Sequence, residues 1–297
     1  MKVEMDVLGR PLRYRPITAV APDGVRISVQ DHGRDTSRQD VVFVHGFSQS
    51  SLAWLKQVTG PLSTKLRMVT YDLRGHGASD KPIEPERYRD PEIWAGELAA
   101  VMDAAGLRDP IVVAWSYAGR IAYDYLSVFG GGNVSGIMAV AATSHGGPDH
   151  LGPATPLLRR MAGAEDVAEN LVATAALLDA CTAMPLDGEE RALMLGYNML
   201  VPPQVRRAMV GREAAYDQAL AGFRKPMLAI HGGRDPINLV SMSLHTAATV
   251  PFGRAVVYDG SGHMPFWEEP DRFDADLLAF ADELTGHADG IAGDRPQ

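Results

Sequence analysis

A serine stands between an apolar run and a helical pattern in Val112-Val113-Ala114-Trp115-Ser116-Tyr117-Ala118-Gly119-Arg120. The small residues Ala114 and Ala118 lie two positions before and two positions after Ser116. A sharp turn from strand to helix crowds these flanking positions and projects the serine hydroxyl away from the sheet edge. Glycine is the usual residue at both flanks, and alanine adds a methyl group at each. Taken alone, the stretch is explained equally well by a serine at the start of an ordinary helix.

Short apolar runs before and after this turn are typical of strands that are buried on both faces. The runs cover residues 41–44, 111–114, 137–140 and 227–230. Looser alternation near residues 13–20 and 25–31 predicts an antiparallel edge hairpin, with Pro22-Asp23-Gly24 as its turn.

Helical patterns occupy the sequence between the apolar runs. One begins after Asp90-Pro91 and ends at Gly106, and another follows Ser116 and ends at Gly130. Strand–helix alternation of this kind predicts an α/β fold, in which a mostly parallel sheet is flanked by helices on both faces.

Residues 146–222 interrupt the alternation, because they contain no convincing strand. The segment is rich in alanine, leucine and methionine, and its methionines include Met161, Met184, Met194, Met199 and Met209. We predict that it is an inserted helical lid, or cap, on an α/β core made of residues 1–145 and 223–297. Most of these methionines are explained by the filling of a helical core. The functional alternative is that the inner face of the lid contacts an apolar ligand.

The composition excludes several classes of function. The 297 residues carry 28 basic and 37 acidic side chains, which gives a net charge of −9 at pH 7. Nucleic acids and anionic membranes attract basic clusters, so neither is expected as a partner. The N-terminal residues carry charges where an export signal needs an apolar core, and no run approaches the ~20 apolar residues that span a bilayer. We therefore expect a soluble, cytoplasmic protein that acts on a small molecule.

The sequence contains no motif for a metal or a cofactor. The single cysteine, Cys181, excludes an intramolecular disulfide and an all-cysteine metal site. The run Gly130-Gly131-Gly132 follows a helix, whereas a dinucleotide-binding loop runs from a strand into a helix. Neither a His-Glu-x-x-His motif nor a phosphate-binding Walker loop is present. We expect the protein to need no metal and no cofactor.

Further segments place polar groups just after apolar strands. His45-Gly46-Phe47-Ser48 follows the first buried strand, where the backbone N–H of Phe47 can point to the same space as that of Tyr117. Two such donors would form an oxyanion hole, which stabilises negative charge on a tetrahedral carbonyl oxygen. Farther along the chain, Asp235 and His263 each come just after a strand of their own.

With Ser116, Asp235 and His263 in this order, the chain resembles the α/β-hydrolase fold family from about residue 25 to about residue 285. The Trp-Ser-Tyr sequence at the turn is similar to that of small serine esterases and of cofactor-free, haloperoxidase-like members. The resemblance implies that Ser116 is the nucleophile, Asp235 the acid and His263 the base. Alanine at positions 114 and 118 departs from the family's glycines without removing a catalytic group. Serine at position 116 argues against haloalkane dehalogenases and epoxide hydrolases, whose nucleophile is an aspartate.

These three side chains suit acyl transfer through a covalent intermediate. A serine hydroxyl is a poor nucleophile at neutral pH and needs a base within hydrogen-bond reach. A histidine, whose pKa is ordinarily about 6.5, can take that proton and return it to the leaving group. An aspartate holds the imidazole tautomer and stabilises its transient positive charge. The predicted function is the hydrolysis of carboxylic esters through an acyl-enzyme, with a medium-sized, apolar substrate.

The same triad serves other reactions, so alternatives stay open. The carbon–carbon bonds of diketone-like substrates, lactones, amides and thioesters are hydrolysed by the same groups. Peroxide in place of water gives perhydrolysis, and an alcohol in its place gives acyl transfer. The fold also suits a ligand-binding scaffold with little turnover, which a complete triad argues against. No motif specifies the physiological substrate or the oligomeric state.

Other residues compete with the triad or line its predicted pocket. Asp149 is the alternative acid, although the Gly-Gly-Arg-Asp loop that ends at Asp235 matches the usual arrangement. We expect His45, His76 and His231 to be structural. Besides Phe47, the predicted pocket wall consists of Ser48, Trp115, His145, Met264 and Trp267. Core packing is the alternative for Trp267, and a surface position is the alternative for His145.

Overall fold

The computed structural model describes residues 2–5, 11–33 and 38–292, with the side chains of residues 12–33 and 38–285. The strands within these residues are β1 Lys2–Met5, β2 Pro11–Val20, β3 Arg26–Asp31, β4 Asp40–Val44, β5 Arg67–Tyr71, β6 Ile111–Trp115, β7 Gly136–Val140, β8 Met227–Gly232 and β9 Gly253–Tyr258. The α-helices are α1 Leu55–Val58, α2 Pro91–Ala105, α3 Ala118–Phe129, α4 Thr155–Gly163, α5 Val167–Ala180, α6 Gly188–Met199, α7 Pro203–Met209, α8 Asp217–Gly222, α9 Val240–Thr249, α10 Pro265–Glu268 and α11 Pro270–Ala292. Within the described ranges, none of these helices has the apolar length that a bilayer crossing requires.

The strands form one mostly parallel sheet, in the order β1-β2-β3-β5-β4-β6-β7-β8-β9. The three N-terminal strands are antiparallel to their neighbours, and every pairing from β5 to β9 is parallel. Each of β4, β6, β7 and β8 is buried along its whole length, as the apolar runs predict. The predicted α/β fold and its edge hairpin are confirmed, and β1 is an addition that the sequence patterns did not indicate.

Helix α2 begins and ends where its sequence predicts. The carboxylate of Asp90 accepts a hydrogen bond of 2.9 Å from the backbone N–H of Glu92, and Pro91 lies in the first turn. Gly106 ends the helix in the left-handed conformation, with φ at 64°, which glycine adopts without strain. The helix packs against α3, which follows the serine turn.

The carboxyl ends of the parallel strands meet at one edge of the sheet. Strand β6 ends at Trp115, β8 at Gly232 and β9 at Tyr258. Because loops that follow parallel strands emerge on the same side, these three loops are neighbours. The three predicted triad residues lie on them.

The segment between β7 and β8 is helical, as predicted. Residues 146–222 are all described, and they contain α4 to α8 and no strand. Met161, Met194 and Met209 are buried, whereas Met184 is exposed. Most of these methionines thus fill the interior of the segment. Its role as a lid stays a prediction.

Candidate active site

Ser116 occupies the turn between β6 and α3. Its φ is +57°, a left-handed conformation that is uncommon for a residue with a side chain. The Ser116 N–H donates to the carbonyl of Val140 at 2.9 Å. The Ser116 carbonyl in turn accepts from the N–H groups of Gly119 and Thr143, each at 3.0 Å. Strain of this kind persists only where the surroundings enforce it, and it concentrates at active sites.

Close packing around the turn requires small residues. A Cβ at Gly119 would lie 2.7 Å from the methyl carbon of Ala142, which follows β7. A Cβ at Gly46 would lie 3.2 Å from the Cβ of Ser116. Ala114 and Ala118 are fully buried, so their methyl groups are accommodated. The loops after β4 and β7 can approach the serine turn this closely because Gly46 and Gly119 have no side chain. The sequence motif did not single out these two glycines.

His263 lies between the serine and the aspartate. Its Nε2 is 2.8 Å from Ser116 Oγ, and its Nδ1 is 2.7 Å from Asp235 Oδ2. An ionised carboxylate can only accept, so Nδ1 carries the ring proton and Nε2 is left to accept from the hydroxyl. The structure therefore brings together the three side chains that the sequence selects. Their catalytic roles stay a prediction.

Hydrogen bonds to both carboxylate oxygens hold Asp235. Oδ1 accepts from the backbone N–H groups of Ile237 at 2.8 Å and Asn238 at 3.1 Å. Oδ2 faces His263 and also lies 3.2 Å from Nε2 of His231. Burial alone would raise the pKa of Asp235, but the charge of His263 and the hydrogen bonds from both histidines outweigh it and hold the pKa well below its ordinary value. Asp235 is therefore ionised at neutral pH.

The loop that carries His263 is fixed from two sides. The indole N–H of Trp115 donates to the His263 carbonyl at 2.9 Å. The Glu268 carboxylate accepts from the N–H groups of Gly262 and Ala183, each at 2.7 Å. Trp115, predicted as a pocket wall, is buried and is not part of the wall of the cavity of about 240 Å³ into which Ser116 opens; it positions the loop of the candidate base instead. Glu268 is a support that the sequence analysis missed.

Phe47 and Tyr117 present backbone N–H groups beside the serine. Both residues are buried, and both line the cavity into which Ser116 opens. Within the described part of the chain, neither N–H group donates to a backbone acceptor of a turn, loop or cap. Buried N–H groups are nearly always paired, so two that lack such a backbone acceptor next to a candidate nucleophile fit an oxyanion hole. That role stays a prediction.

Two buried histidines hold the loop that carries Phe47. His76 Nε2 accepts from the N–H of Ser48 at 3.2 Å. His45 Nε2 accepts from the N–H of Leu73 at 3.0 Å. In each ring Nδ1 lies 2.8 Å from a backbone carbonyl, so each ring is neutral with its proton on Nδ1. These contacts are those of structural residues.

Acid is expected to destabilise the fold through its buried histidines. Burial lowers the pKa of His32 and of His45 to about 4 and that of His76 to about 3. In the unfolded chain these rings titrate near pH 6.5, so below that pH the unfolded state binds more protons. The free energy of unfolding should therefore fall by about 1.4 kcal/mol per ring for each pH unit from about 6.5 towards 4.

Urea unfolding at about pH 7.5 and about pH 4.5 measures this loss. A His32→Gln variant cannot titrate at that position, so it should lose less stability than the wild type over the same interval. An unfolding midpoint that is the same at both pH values would contradict the expectation.

Ser116 opens into a cavity of about 240 Å³. The cavity is bounded by the loops after β4, β6 and β8, by α4 and by the connection between α7 and α8. Its lining combines apolar side chains with three arginines, and includes Phe47, Leu151, Leu158, Met209, Val210, Ile237, Arg120, Arg159 and Arg212. The sequence analysis expected an apolar pocket and missed the cationic groups, which belong to no motif.

Besides Trp115, four of the predicted pocket residues lie outside this cavity. Ser48 is buried with φ at 61°, and its N–H is bonded to a histidine ring. Met264 and Trp267 are buried in the core. His145 lies among polar groups at the surface. None of these four residues lines the cavity of about 240 Å³, and neither does Trp115, which instead borders a void of about 20 Å³ beside the candidate nucleophile and base.

The alternative acid, Asp149, does not contact the candidate base. It lies in a short 3₁₀ turn, Pro148–His150, and its carbonyl accepts from the hydroxyl of Ser241 at 3.0 Å. The carboxylate that meets His263 is that of Asp235.

Comparison with known proteins agrees with this geometry. A family model described as "Alpha/beta hydrolase family" matches residues 41–276. A non-heme haloperoxidase of Rhodococcus erythropolis is 27% identical over 279 residues, which cover 88% of this chain and 97% of that protein. A crystal structure of an esterase from Rhodococcus sp. ECU1013 is 33% identical, with a TM-score of 0.85 over 91% of this chain and 99% of the other. The fold is shared by a bromoperoxidase from Bacillus anthracis, at 21% identity and a TM-score of 0.78 over 90% of this chain and 100% of the other. The chain belongs to the alpha/beta hydrolase family.

Proposed function

We propose that the protein is a serine hydrolase that cleaves carboxylic esters of small molecules through an acyl-enzyme intermediate. The observation that carries the proposal is the run of hydrogen bonds from Ser116 through His263 to Asp235, at 2.8 and 2.7 Å. It begins at the cavity, where a substrate can reach the hydroxyl. The similarity to an esterase of known structure supports the same reaction.

In the proposed first step, Ser116 Oγ attacks the ester carbonyl carbon while His263 Nε2 takes the hydroxyl proton. The N–H groups of Phe47 and Tyr117 stabilise the resulting oxyanion. The imidazolium, paired with Asp235, then returns the proton to the leaving alcohol, and the acyl group stays on the serine. In the second step water attacks the acyl-enzyme with the same base, which releases the carboxylic acid and restores the hydroxyl.

A serine-reactive phosphonate ester tests this proposal, because it traps a serine that has been activated as a nucleophile. We expect one label per chain, located on Ser116 by peptide mass spectrometry, with a parallel loss of activity towards a p-nitrophenyl ester. Ser144, a buried serine whose hydroxyl is bonded to that of Thr246 at 2.7 Å, should stay unlabelled. A folded protein that takes no label at Ser116 would contradict the proposal and favour a ligand-binding scaffold.

We also propose that residues 146–222 act as a cap that shapes the substrate cavity. Leu151, Leu158 and Met209 belong to this segment and form part of the apolar lining. At roughly 30 Å³ for each water-sized group, a cavity of about 240 Å³ holds about eight such groups. The acyl chains that fit are therefore of short to medium length.

A series of p-nitrophenyl esters from acetate to dodecanoate is expected to give the highest kcat/KM near butyrate to hexanoate. Because longer chains do not fit, kcat/KM should fall by about tenfold or more at dodecanoate, the range that a few misplaced methylenes cost in a pocket. Leu158→Ala, which enlarges the cavity, should move the optimum to longer chains. Equal rates along the whole series would remove the support for this cap.

The haloperoxidase relative favours a second reaction at the same site. Hydrogen peroxide that attacks the acyl-enzyme in place of water would release a peracid, and its proton would pass through His263 to restore the serine hydroxyl. Product analysis of ester turnover in the presence of peroxide distinguishes the two nucleophiles. Peracid that forms at a rate comparable to the carboxylic acid supports perhydrolysis, and carboxylic acid alone excludes it.

A further inference from the structure

Imidazole and carboxylate groups cluster near both ends of the 146–222 segment, outside the candidate active site. Asp217 Oδ1 lies 2.8 Å from His245 Nε2, and Asp217 Oδ2 lies 3.2 Å from His145 Nε2. One ligand atom from each of the three side chains falls within 4.8 Å of the other two. The side chains of His145, His245 and Asp217 are 31%, 32% and 53% exposed, so an ion can reach them from solvent.

Three separate elements position these groups. His145 follows β7, Asp217 is the first residue of α8, and His245 belongs to α9. His145 forms an antiparallel bridge with Ala215, and the N–H of the following residue, Gly146, donates to the Ala214 carbonyl at 3.0 Å. The backbone therefore holds His145 beside the start of α8 before any ligand arrives. Such preorganisation is what a binding site requires.

A third imidazole flanks the cluster. The ring of His150 lies 5.6 Å from that of His145 and 5.4 Å from that of His245, measured between centroids. Its Nδ1 lies 3.0 Å from the hydroxyl of Ser241, which fixes the ring. Three of the nine histidines of the chain thus lie in this cluster, and two of them contact Asp217.

The chemistry of this donor set suits a divalent transition-metal ion. Zinc binds imidazole nitrogen and carboxylate oxygen at about 2.0–2.2 Å, which places tetrahedral ligand atoms roughly 3.4 Å apart. Asp217 meets the two rings with different oxygens, Oδ1 at 2.8 Å and Oδ2 at 3.2 Å. The three ligand atoms lie within 4.8 Å of one another, so they would draw together by at most about 1.4 Å to reach the tetrahedral spacing. The Nε2 atoms of His145 and His245 both face the Asp217 carboxylate, so the donor atoms of all three side chains lie on one side of the cluster.

We propose that His145, Asp217 and His245 form a binding site for one divalent transition-metal ion, with zinc as the occupant and water at the fourth position. The ion would join the two ends of the 146–222 segment to α9 and so stabilise the position of that segment on the sheet. The site takes no part in the proposed ester hydrolysis. The sequence analysis expected no metal. The three proposed ligands are too far apart in sequence to form a motif, so no sequence pattern indicated this site.

Zinc sulfate titrated calorimetrically into protein that has been dialysed against a chelator tests the proposal. We expect one zinc ion per chain and a melting temperature that rises with zinc, because an ion that binds only the folded state stabilises it. Cobalt(II) in place of zinc should give the intense visible absorption of a tetrahedral complex. Asp217→Asn and His245→Asn should each weaken zinc binding by more than about tenfold.

Asp179→Asn is the matched control, because Asp179 is an exposed carboxylate on α5 that pairs with Arg191 at 2.8 Å, away from the cluster. It should bind zinc as the wild type does. The melting temperature of each variant without metal shows whether it is folded, and the cobalt spectrum of the wild type does not depend on any variant. No saturable binding to the wild type would overturn the proposal, and so would unchanged zinc affinity in both ligand variants.

Discussion

Replacement of Ser116 by alanine is expected to lower kcat for a short-chain p-nitrophenyl ester by a factor on the order of 10⁵–10⁶. Without the hydroxyl no acyl-enzyme can form, and what remains is the stabilisation that the oxyanion hole gives to direct attack by water. The fold should survive, because alanine is close to serine in size and the hydroxyl bonds only to His263 among the described residues. The three backbone hydrogen bonds that hold the turn do not involve the side chain.

Steady-state rates and thermal unfolding of the purified variant measure both expectations. Ser127→Ala is the matched control, since the Ser127 hydroxyl donates only to the carbonyl of Tyr123 one turn earlier in α3, at 2.8 Å. This control should keep both its activity and its melting temperature. A Ser116→Ala variant with near-normal kcat would refute the assignment of the nucleophile, whatever its stability.

Much of the fold follows from local sequence patterns. The central strands are buried on both faces, so each must be a continuous apolar run, and β4, β6, β7 and β8 match the predicted runs to within two residues. The ends of α2 are local as well, because Asp90 and Gly106 satisfy backbone groups of that helix only. Strand β1 could not be predicted, since its four residues alternate polar and apolar over too short a length and are defined by their pairing with β2.

The three candidate catalytic residues could be predicted from the sequence, because each of them follows the end of a strand. Ser116, Asp235 and His263 come after parallel strands of one sheet, and this topology alone brings their loops together. The walls of the cavity were not predictable in this way. Leu158 and Arg159 lie on α4, whose position over the serine depends on packing between helices that no local motif encodes. His145 likewise reaches Asp217 only through a tertiary bridge, 72 residues along the chain.

Replacement of Asp235 by asparagine is expected to lower kcat by a factor on the order of 10⁴ while leaving the fold intact. Oδ1 accepts from the N–H groups of Ile237 and Asn238, so the amide oxygen of the variant must take that position. The amide NH₂ then faces His263 Nδ1 at the place of Oδ2. Two donors cannot meet there, so the imidazole proton moves from Nδ1 to Nε2. A protonated Nε2 cannot accept the proton of Ser116, and the nucleophile is no longer activated.

The control for this variant is Asp149→Asn, the same change at the alternative acid, whose side chain is not bonded to His263 and whose carbonyl accepts from Ser241. It should retain kcat to within about twofold, as expected for a group outside the transition state. Reaction with the phosphonate should also slow in Asp235→Asn, because labelling needs the same activated hydroxyl, whereas KM should change little. If the kcat of Asp235→Asn stays within about tenfold of the wild type, Nε2 of His263 remains unprotonated without this carboxylate. The hydrogen bond of 2.7 Å between Asp235 and His263 would then be structural, and the base would owe its tautomer to another neighbour.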